Sequence, residues 1–325
     1  MCTAVSCNGY FGRNLDLEFS YGEAVTVTPQ NFPLSFCYGR DMKQHFAMIG
    51  MAYAKGDYPL YYEATNEYGL SIAGLRFRDN CVYHPAVKGK INVASFELIP
   101  FLLGQCKTVD DAKELLLNMN ITPDGISDEL PPTPLHWMIA DNNSCLTVES
   151  VKEGLKVYEN PVGVLTNNPP FPVQLWNLNR YMGVTAKPPK NQFASHLPLV
   201  PDSIGMGGMG LPGDFSSSSR FVRVAFVKNN GIFTGEEGER VNQFFHILDS
   251  ASQFKGCVQV GENDYEITRY SSCCNLQTGM YYYTTYEDRT IRGVRLFDLD
   301  YQGEKLIRLD EGLSPQKQFF TPISF

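Results

Sequence analysis

Strand-like runs and turn residues alternate along most of the chain. "AVTVT" (24–28), "FAMIGMAYA" (46–54), "LSIAGL" (70–75), "LHWMIAD" (135–141), "CLTVESV" (145–151) and "LKVYEN" (155–160) are rich in β-formers and bounded by Gly, Asn, Asp or Pro, the pattern of short strands between turns. Asp141-Asn142-Asn143-Ser144 reads as the turn of a hairpin. Residues 265–299 supply three more strands, with turn signals at Gln277-Thr278-Gly279 and Glu287-Asp288-Arg289. Between these groups the apolar spacing changes to a helical period. Helices are predicted over 94–106 and 108–119, the second with Thr108 as N-cap and Asp111 at N3. Three more are predicted over 171–181, 217–228 and 238–252, the last with Val241, Phe244, Phe245 and Leu248 on one stripe. Strands and helices in separate runs predict an α+β layered protein, not a doubly wound parallel sheet.

Two segments resist regular structure. Residues 122–134 hold prolines and an Asp-Gly turn, and 184–214 contain "AKPPKN" and "GMGGMGLPGD", the kind of long irregular stretch usually reserved for binding surfaces. Neither marks a domain break, so one domain is expected over 2–325, with Met1 removed.

Composition narrows the class. A 325-residue chain with 43% hydrophobic and 19% charged residues supports a sizeable core. A net charge of −8, with no run of five like charges, argues against a nucleic-acid partner. No stretch of about 18 apolar residues predicts a membrane span, and no secretory leader is readable. A cytoplasmic protein is expected. Nine scattered cysteines without a C-x-x-C pair predict small buried hydrophobes, not a disulfide framework. The two Asn-x-Ser/Thr sequons, at Asn120 and Asn142, carry little weight without a secretion signal.

Most candidate motifs fail on context. "GMGGMG" (205–210) matches G-x-G-x-x-G but lacks the strand before it and the helix after it. The five histidines show no zinc spacing, and His136 lies inside an apolar strand, where a hydrogen-bonded core role fits. "DLDYQGEK" ends as a calcium loop with Leu309 where a bidentate Glu is needed. No G-x-S-x-G elbow occurs. No metal and no cofactor are expected.

Cys2 remains. A small residue at position 2 permits removal of Met1, and the freed α-amine, titrating near ~8, can accept the thiol proton. That is N-terminal nucleophile chemistry, in which the chain's own amine replaces a histidine base. On position alone, a randomly placed small residue is the favoured explanation of Cys2.

"MCT", "GRNLDLEFS" (12–20), "NEYGLSIAGL" (66–75), "LHWMIAD", "GVLTNNPPF" (163–171), "GLPGDFSSSSRFVRVAF" (210–226) and "MYYYTTYE" appear in this order. Together they resemble the choloylglycine hydrolase family, which includes bile salt hydrolases and penicillin V acylases. The resemblance implies a four-layer αββα sandwich of the N-terminal nucleophile hydrolase type and hydrolysis of a linear amide bond. It implies Cys2 as nucleophile and base, Arg13 and Asp16 beside it, Asn167 in the oxyanion hole and Arg220 as a second guanidinium. Read without it, Arg13 and Asp16 are a surface ion pair, Asn167 closes a turn and Arg220 starts a helix. By position in the matching blocks, Leu15, Tyr61, Ile126, Leu130 and Leu135 are candidate walls of an acyl cleft, with core packing as the alternative. Arg76 stands where bile-salt members often carry Asn and penicillin acylases Tyr. It either pairs with an acidic neighbour or faces the site and recognises a carboxylate or sulfonate.

The implied activity is hydrolysis of glycine- or taurine-conjugated bile salts, in a homotetramer. A penicillin V or acyl-homoserine-lactone acylase is the alternative with the same chemistry. A non-catalytic steroid binder and a redox sensor using Cys2 are alternatives of other classes.

Overall fold

The computed structural model describes residues 1–39, 41–53 and 57–309. Ala54, the end of the strand predicted over 46–54, and residues 310–325 of the expected domain lie outside the described residues. The chain opens with β1 (Cys2–Cys7), β2 (Tyr10–Leu17), β3 (Glu23–Thr28), β4 (Met48–Tyr53), β5 (Leu60–Asn66) and β6 (Ser71–Arg76). Next come β7 (Ile91–Ala94), α1 (Leu98–Leu103), α2 (Val109–Leu117) and β8 (Met119–Thr122). A meander of β9 (Leu135–Ala140), β10 (Cys145–Val151) and β11 (Gly154–Glu159) leads to β12 (Val164–Leu165). Then follow α3 (Phe171–Asn177), α4 (Ser217–Asn230) and α5 (Glu237–Asp249), before β13 (Ile267–Asn275), β14 (Met280–Thr285), β15 (Arg292–Arg295) and β16 (Ile307–Leu309).

Six strands, in the order β12-β1-β2-β13-β14-β15, form one sheet, and eight, β11-β10-β9-β6-β5-β4-β3-β16, form another. Every neighbouring pair in both is antiparallel. β1 and β2 face β6 across the gap between the sheets, α4 and α5 cover the six-stranded sheet, and α1 and α2 cover the eight-stranded one. This is a four-layer αββα sandwich. One apolar core joins the sheet interface to the underside of α4 and α5, through Val5, Phe11, Met138, Phe221 and Phe244. A second, with Ile72, Leu102, Val109 and Trp137, lies under α1 and α2. Each such side chain contributes about 1.5–3 kcal/mol of burial.

Local chemistry explains where elements start and stop. Asp111 N–H donates to Thr108 Oγ1 at 3.2 Å and Thr108 N–H to Asp111 Oδ2 at 3.0 Å, a reciprocal cap that opens α2 as predicted. Asp141 Oδ1 accepts from the N–H groups of Asn143 and Ser144 at 2.8 and 2.9 Å, closing the predicted β9–β10 hairpin. The helix predicted over 94–106 starts only at Leu98, because Ile91–Ala94 pairs in parallel with Met119–Thr122. That pairing also ends α2 early, at Leu117. The helix predicted over 171–181 becomes α3 followed by a 3₁₀ turn at Leu178–Tyr181. In the glycine-rich run, a Cβ on Gly207 would sit 2.1 Å from the Lys187 carbonyl oxygen. Close backbone packing, not phosphate binding, accounts for that glycine. Among the described residues, no helix is long and apolar enough to cross a membrane.

All nine cysteines are free, and five (Cys2, Cys7, Cys106, Cys273 and Cys274) are buried, whereas Cys37 and Cys257 are exposed. His136 is fully buried, with Nε2 donating to the Thr166 carbonyl at 2.7 Å and Nδ1 3.2 Å from Glu149 Oε1. It is the core histidine expected.

Gly12 tests how tightly β2 is held against β13. A Cβ there would lie 1.9 Å from the Ser272 carbonyl oxygen, a clash with backbone that no rotamer relieves. Gly12→Ala is expected to destabilise the protein by about 3 kcal/mol, the upper end for overpacking, as measured by denaturant unfolding. A change below about 0.5 kcal/mol, the range of a neutral surface substitution, would contradict this packing.

Candidate active site

Antiparallel pairing sets which side chains share a face. Cys2 pairs with Leu15 and Ala4 with Arg13, so these four project between the sheets. Thr3, Asn14 and Asp16 have the opposite parity and project toward α4 and α5. Arg13 is fully buried and spans the sheet interface. Its Nη1 donates to the carbonyls of Tyr62 at 2.9 Å and Gly74 at 2.7 Å, and its Nε lies 3.9 Å from Glu63 Oε2. Glu63 also accepts from the hydroxyls of Tyr270 at 2.5 Å and Tyr281 at 2.6 Å. Burial works against the Arg13 charge, but the acidic groups around it, Glu63 and Asp16 among them, outweigh burial and raise its pKa. The Nη2 group is sealed from water with no hydrogen-bond partner. An unpaired donor of this kind costs about 1–3 kcal/mol, which an anion beside it would offset. A guanidinium so placed favours a thiolate.

The far side of β1 is equally polar. Cys2 N–H donates to Asn167 Oδ1 at 2.9 Å, and Arg220 Nη2 donates to the same oxygen at 2.8 Å. Arg220 Nη1 donates to the Cys2 carbonyl and to Thr3 Oγ1, each at 2.6 Å, and lies 4.0 Å from Asp16 Oδ2. Asn167 Nδ2 donates to the Arg76 carbonyl at 2.7 Å, which leaves one amide hydrogen of that group. Asp16 Oδ1 accepts from Thr268 Oγ1 at 2.6 Å, while Oδ2 is sealed with no hydrogen-bond partner among the described residues and has the Arg220 charge near it. The Met1 amine donates to the Asp16 carbonyl at 2.9 Å and pairs with Glu266. Burial of that nitrogen pulls its pKa below the ordinary α-amine value, although the methionine side chain stays partly exposed. Burial raises the Asp16 pKa, against the opposing pull of the amine, Arg220, Thr268 and Arg13.

A cleft of about 490 Å³ opens over Cys2 and Arg13. Leu15, Tyr61, Ile126, Leu130 and Leu135 all line it, and so does Arg76 from the exposed end of β6. No ion pair engages the Arg76 guanidinium among the described residues, so it does not bend away to an acidic neighbour. Asp16 and Arg220 stand behind β1, and Asn167 sits beside the Cys2 nitrogen; none of the three is among the lining residues. The cleft also takes in Tyr21, Tyr53, Tyr62 and Trp137, with Glu18 and Glu129, which the sequence reading did not single out. Trp137 shares the parity of Leu135 in "LHWMIAD" and was available from period-two alternation. Tyr62 was not, for reasons of strand geometry given below. No cluster of three or more His, Cys, Asp or Glu residues suited to a metal ion occurs among the described residues.

The model of the linear amide C–N hydrolases, choloylglycine hydrolase family, matches residues 2–308. The chain belongs to this family. It is therefore an enzyme of the linear amide C–N hydrolase class, and its fold is the N-terminal nucleophile hydrolase sandwich expected. The chain is 49% identical to a bile salt hydrolase/transferase from Lactiplantibacillus plantarum, over 91% of this chain and 92% of that one. It is 34% identical to a bile salt hydrolase/transferase from Clostridium perfringens, over 94% and 95%. Among solved structures it matches the C2A mutant of the conjugated bile acid hydrolase from Clostridium perfringens. That match has a TM-score of 0.88 and 33% identity, covering 95% of this chain and 96% of the other. A penicillin V acylase from Agrobacterium tumefaciens shares the fold, with a TM-score of 0.74 at 19% identity over 95% and 91%.

Proposed function

We propose that this enzyme hydrolyses the amide bond of glycine- or taurine-conjugated bile salts, with Cys2 as the nucleophile. The observation that carries the proposal is the Cys2 thiol on the floor of an apolar cleft, its backbone nitrogen bonded to Asn167 and the Arg13 guanidinium lining the same floor. The names of the 49% and 34% identical relatives support the substrate class.

Removal of Met1 would turn the Cys2 nitrogen into a free amine beside Asn167 and Asp16. That amine takes the thiol proton, and the thiolate attacks the amide carbonyl. Arg13 stabilises the thiolate before attack, and the remaining N–H of Asn167 Nδ2 donates to the oxyanion as charge grows there. The Cys2 ammonium then protonates the departing nitrogen of glycine or taurine as the C–N bond breaks, leaving a thioester. Water, losing its proton to the same amine, cleaves the thioester and restores the thiol. Asp16 and Arg220 act as positioning residues for the amine. Leu15, Tyr61, Ile126, Leu130 and Leu135 enclose the acyl group, and Arg76 meets the anionic end of the conjugate.

Assembly as a homotetramer belongs to the same proposal. It is supported by the irregular 184–214 segment, which leaves Phe193, Val200, Ile204 and Met209 at 84%, 83%, 101% and 70% exposure, too much apolar surface for an uncovered face. Nine free cysteines suit the reducing cytoplasm.

Three outcomes are expected. Wild-type protein lacks Met1 by intact mass and cleaves glycocholate faster than penicillin V, while Cys2→Ala loses at least about a thousandfold in kcat. Penicillin V as the better substrate would overturn the bile-salt assignment, and full activity in Cys2→Ala the mechanism. Arg76→Asn raises KM for conjugated bile salts and shifts the glycine-to-taurine ratio; unchanged values would remove Arg76 from recognition. Light scattering of the purified protein gives four times the chain mass, and a monomer would refute the assembly.

A further inference from the structure

The register of β4 against β5 jumps by one residue at the cleft. Met51 pairs with Glu63 but Ala52 pairs with Tyr61, so Tyr62 is the extra residue of a β-bulge. Bulges re-aim side chains and free backbone groups from the ladder, and both effects are visible here. Tyr61 and Tyr62 are consecutive, yet both line the cleft, which a regular strand forbids. The Tyr62 carbonyl, released from strand pairing, instead accepts from Arg13 Nη1 at 2.9 Å. The bulge therefore ties the Tyr62 backbone to Arg13, while its side chain lines the cleft.

The two phenols differ in what they have left to bond. Tyr61 Oη is satisfied by Thr28 Oγ1 at 2.7 Å. Tyr62 lines the cleft, and its Oη has no hydrogen-bond partner among the described residues and is not one of the sealed polar atoms. Burial, reinforced by Glu23 and Tyr21, raises the Tyr62 pKa, so the phenol stays protonated and available as a donor. The cleft walls combine apolar side chains, among them Leu15, Leu60 and Ile126, with polar ones such as Tyr21, Glu18 and Glu129. A bare hydrocarbon seated there would strip water from this hydroxyl and return nothing. A ligand that leaves this hydroxyl unpaired is disfavoured against one that can bond it.

We propose that Tyr62 is a specificity-determining residue that selects acyl groups bearing a ring hydroxyl, by hydrogen-bonding that hydroxyl through its phenol. This rests on the bile-salt reading above and names the part of the substrate that the cleft reads. The phenol donates to the substrate oxygen, so methylation of the hydroxyl, which keeps that acceptor, weakens binding less than its replacement by hydrogen.

The test compares glycine conjugates of steroid acids carrying three, one and no ring hydroxyls, on wild type and Tyr62→Phe. The variant keeps the ring and the backbone carbonyl, so the Arg13 anchor is undisturbed. In wild type, kcat/KM for the best hydroxylated conjugate exceeds that of the bare conjugate. In Tyr62→Phe this preference falls about fivefold to tenfold, the value of one neutral hydrogen bond, through KM with kcat held and with an unchanged melting temperature. Equal preference in wild type and variant would overturn the assignment while leaving bile-salt hydrolysis intact. A loss of kcat on every conjugate, including the bare one, would show that Tyr62 acts through Arg13 and would also overturn it. Failure of wild type to cleave any of the conjugates would overturn the bile-salt reading itself.

Discussion

The hydrogen bond from the Cys2 nitrogen to Asn167 Oδ1 is the contact on which the site depends. It fixes the start of the strand that carries the thiol, and it is itself braced by Arg220, which donates to the same oxygen, to the Cys2 carbonyl and to Thr3. A strand end normally frays. Here three buried bonds hold Cys2 and Thr3 and a fourth joins Arg220 to Asn167, so the proposed nucleophile is placed before substrate arrives. Such preorganisation is where most of a hydrolase's rate acceleration originates.

Arg13 does the same for the opposite wall. Its bonds to the Tyr62 and Gly74 carbonyls cross from one sheet to the other, and Glu63 with Tyr270 and Tyr281 completes a buried polar patch inside an otherwise apolar interface. Replacing such a patch with apolar residues would often be neutral or stabilising. Its retention at the floor of the cleft is therefore better explained by chemistry at Cys2 than by stability. The bulge at Tyr62 follows from the same demand, since a regular β5 would offer Arg13 no carbonyl.

What could be read from the sequence was what local chemistry determines. The Thr108–Asp111 cap and the Asp141 turn need only neighbours in sequence, and both appear where predicted. The strands β1 and β2 were missed as strands because both of their faces are buried. "YFGRNLDL" has Arg13, Asn14 and Asp16 fully buried, so no alternation of polar and apolar residues marks it. The ends of the two central helices were lost to a parallel strand pair about 28 residues apart in sequence, a tertiary choice that propensity cannot register. The leucines and isoleucines lining the cleft are ordinary hydrophobes in isolation. Only the family resemblance separated Leu15, Ile126 and Leu130 from core, and it had no means of finding Tyr62, whose orientation comes from one unpaired strand position.

The account is tested most directly by trapping the acyl-enzyme. Protein quenched in acid during turnover of a conjugated bile salt, then digested and weighed, should carry the bile-acyl mass as a thioester on an N-terminal peptide that begins at Cys2. An acyl adduct on any other residue, or turnover by protein that still bears Met1, would contradict it.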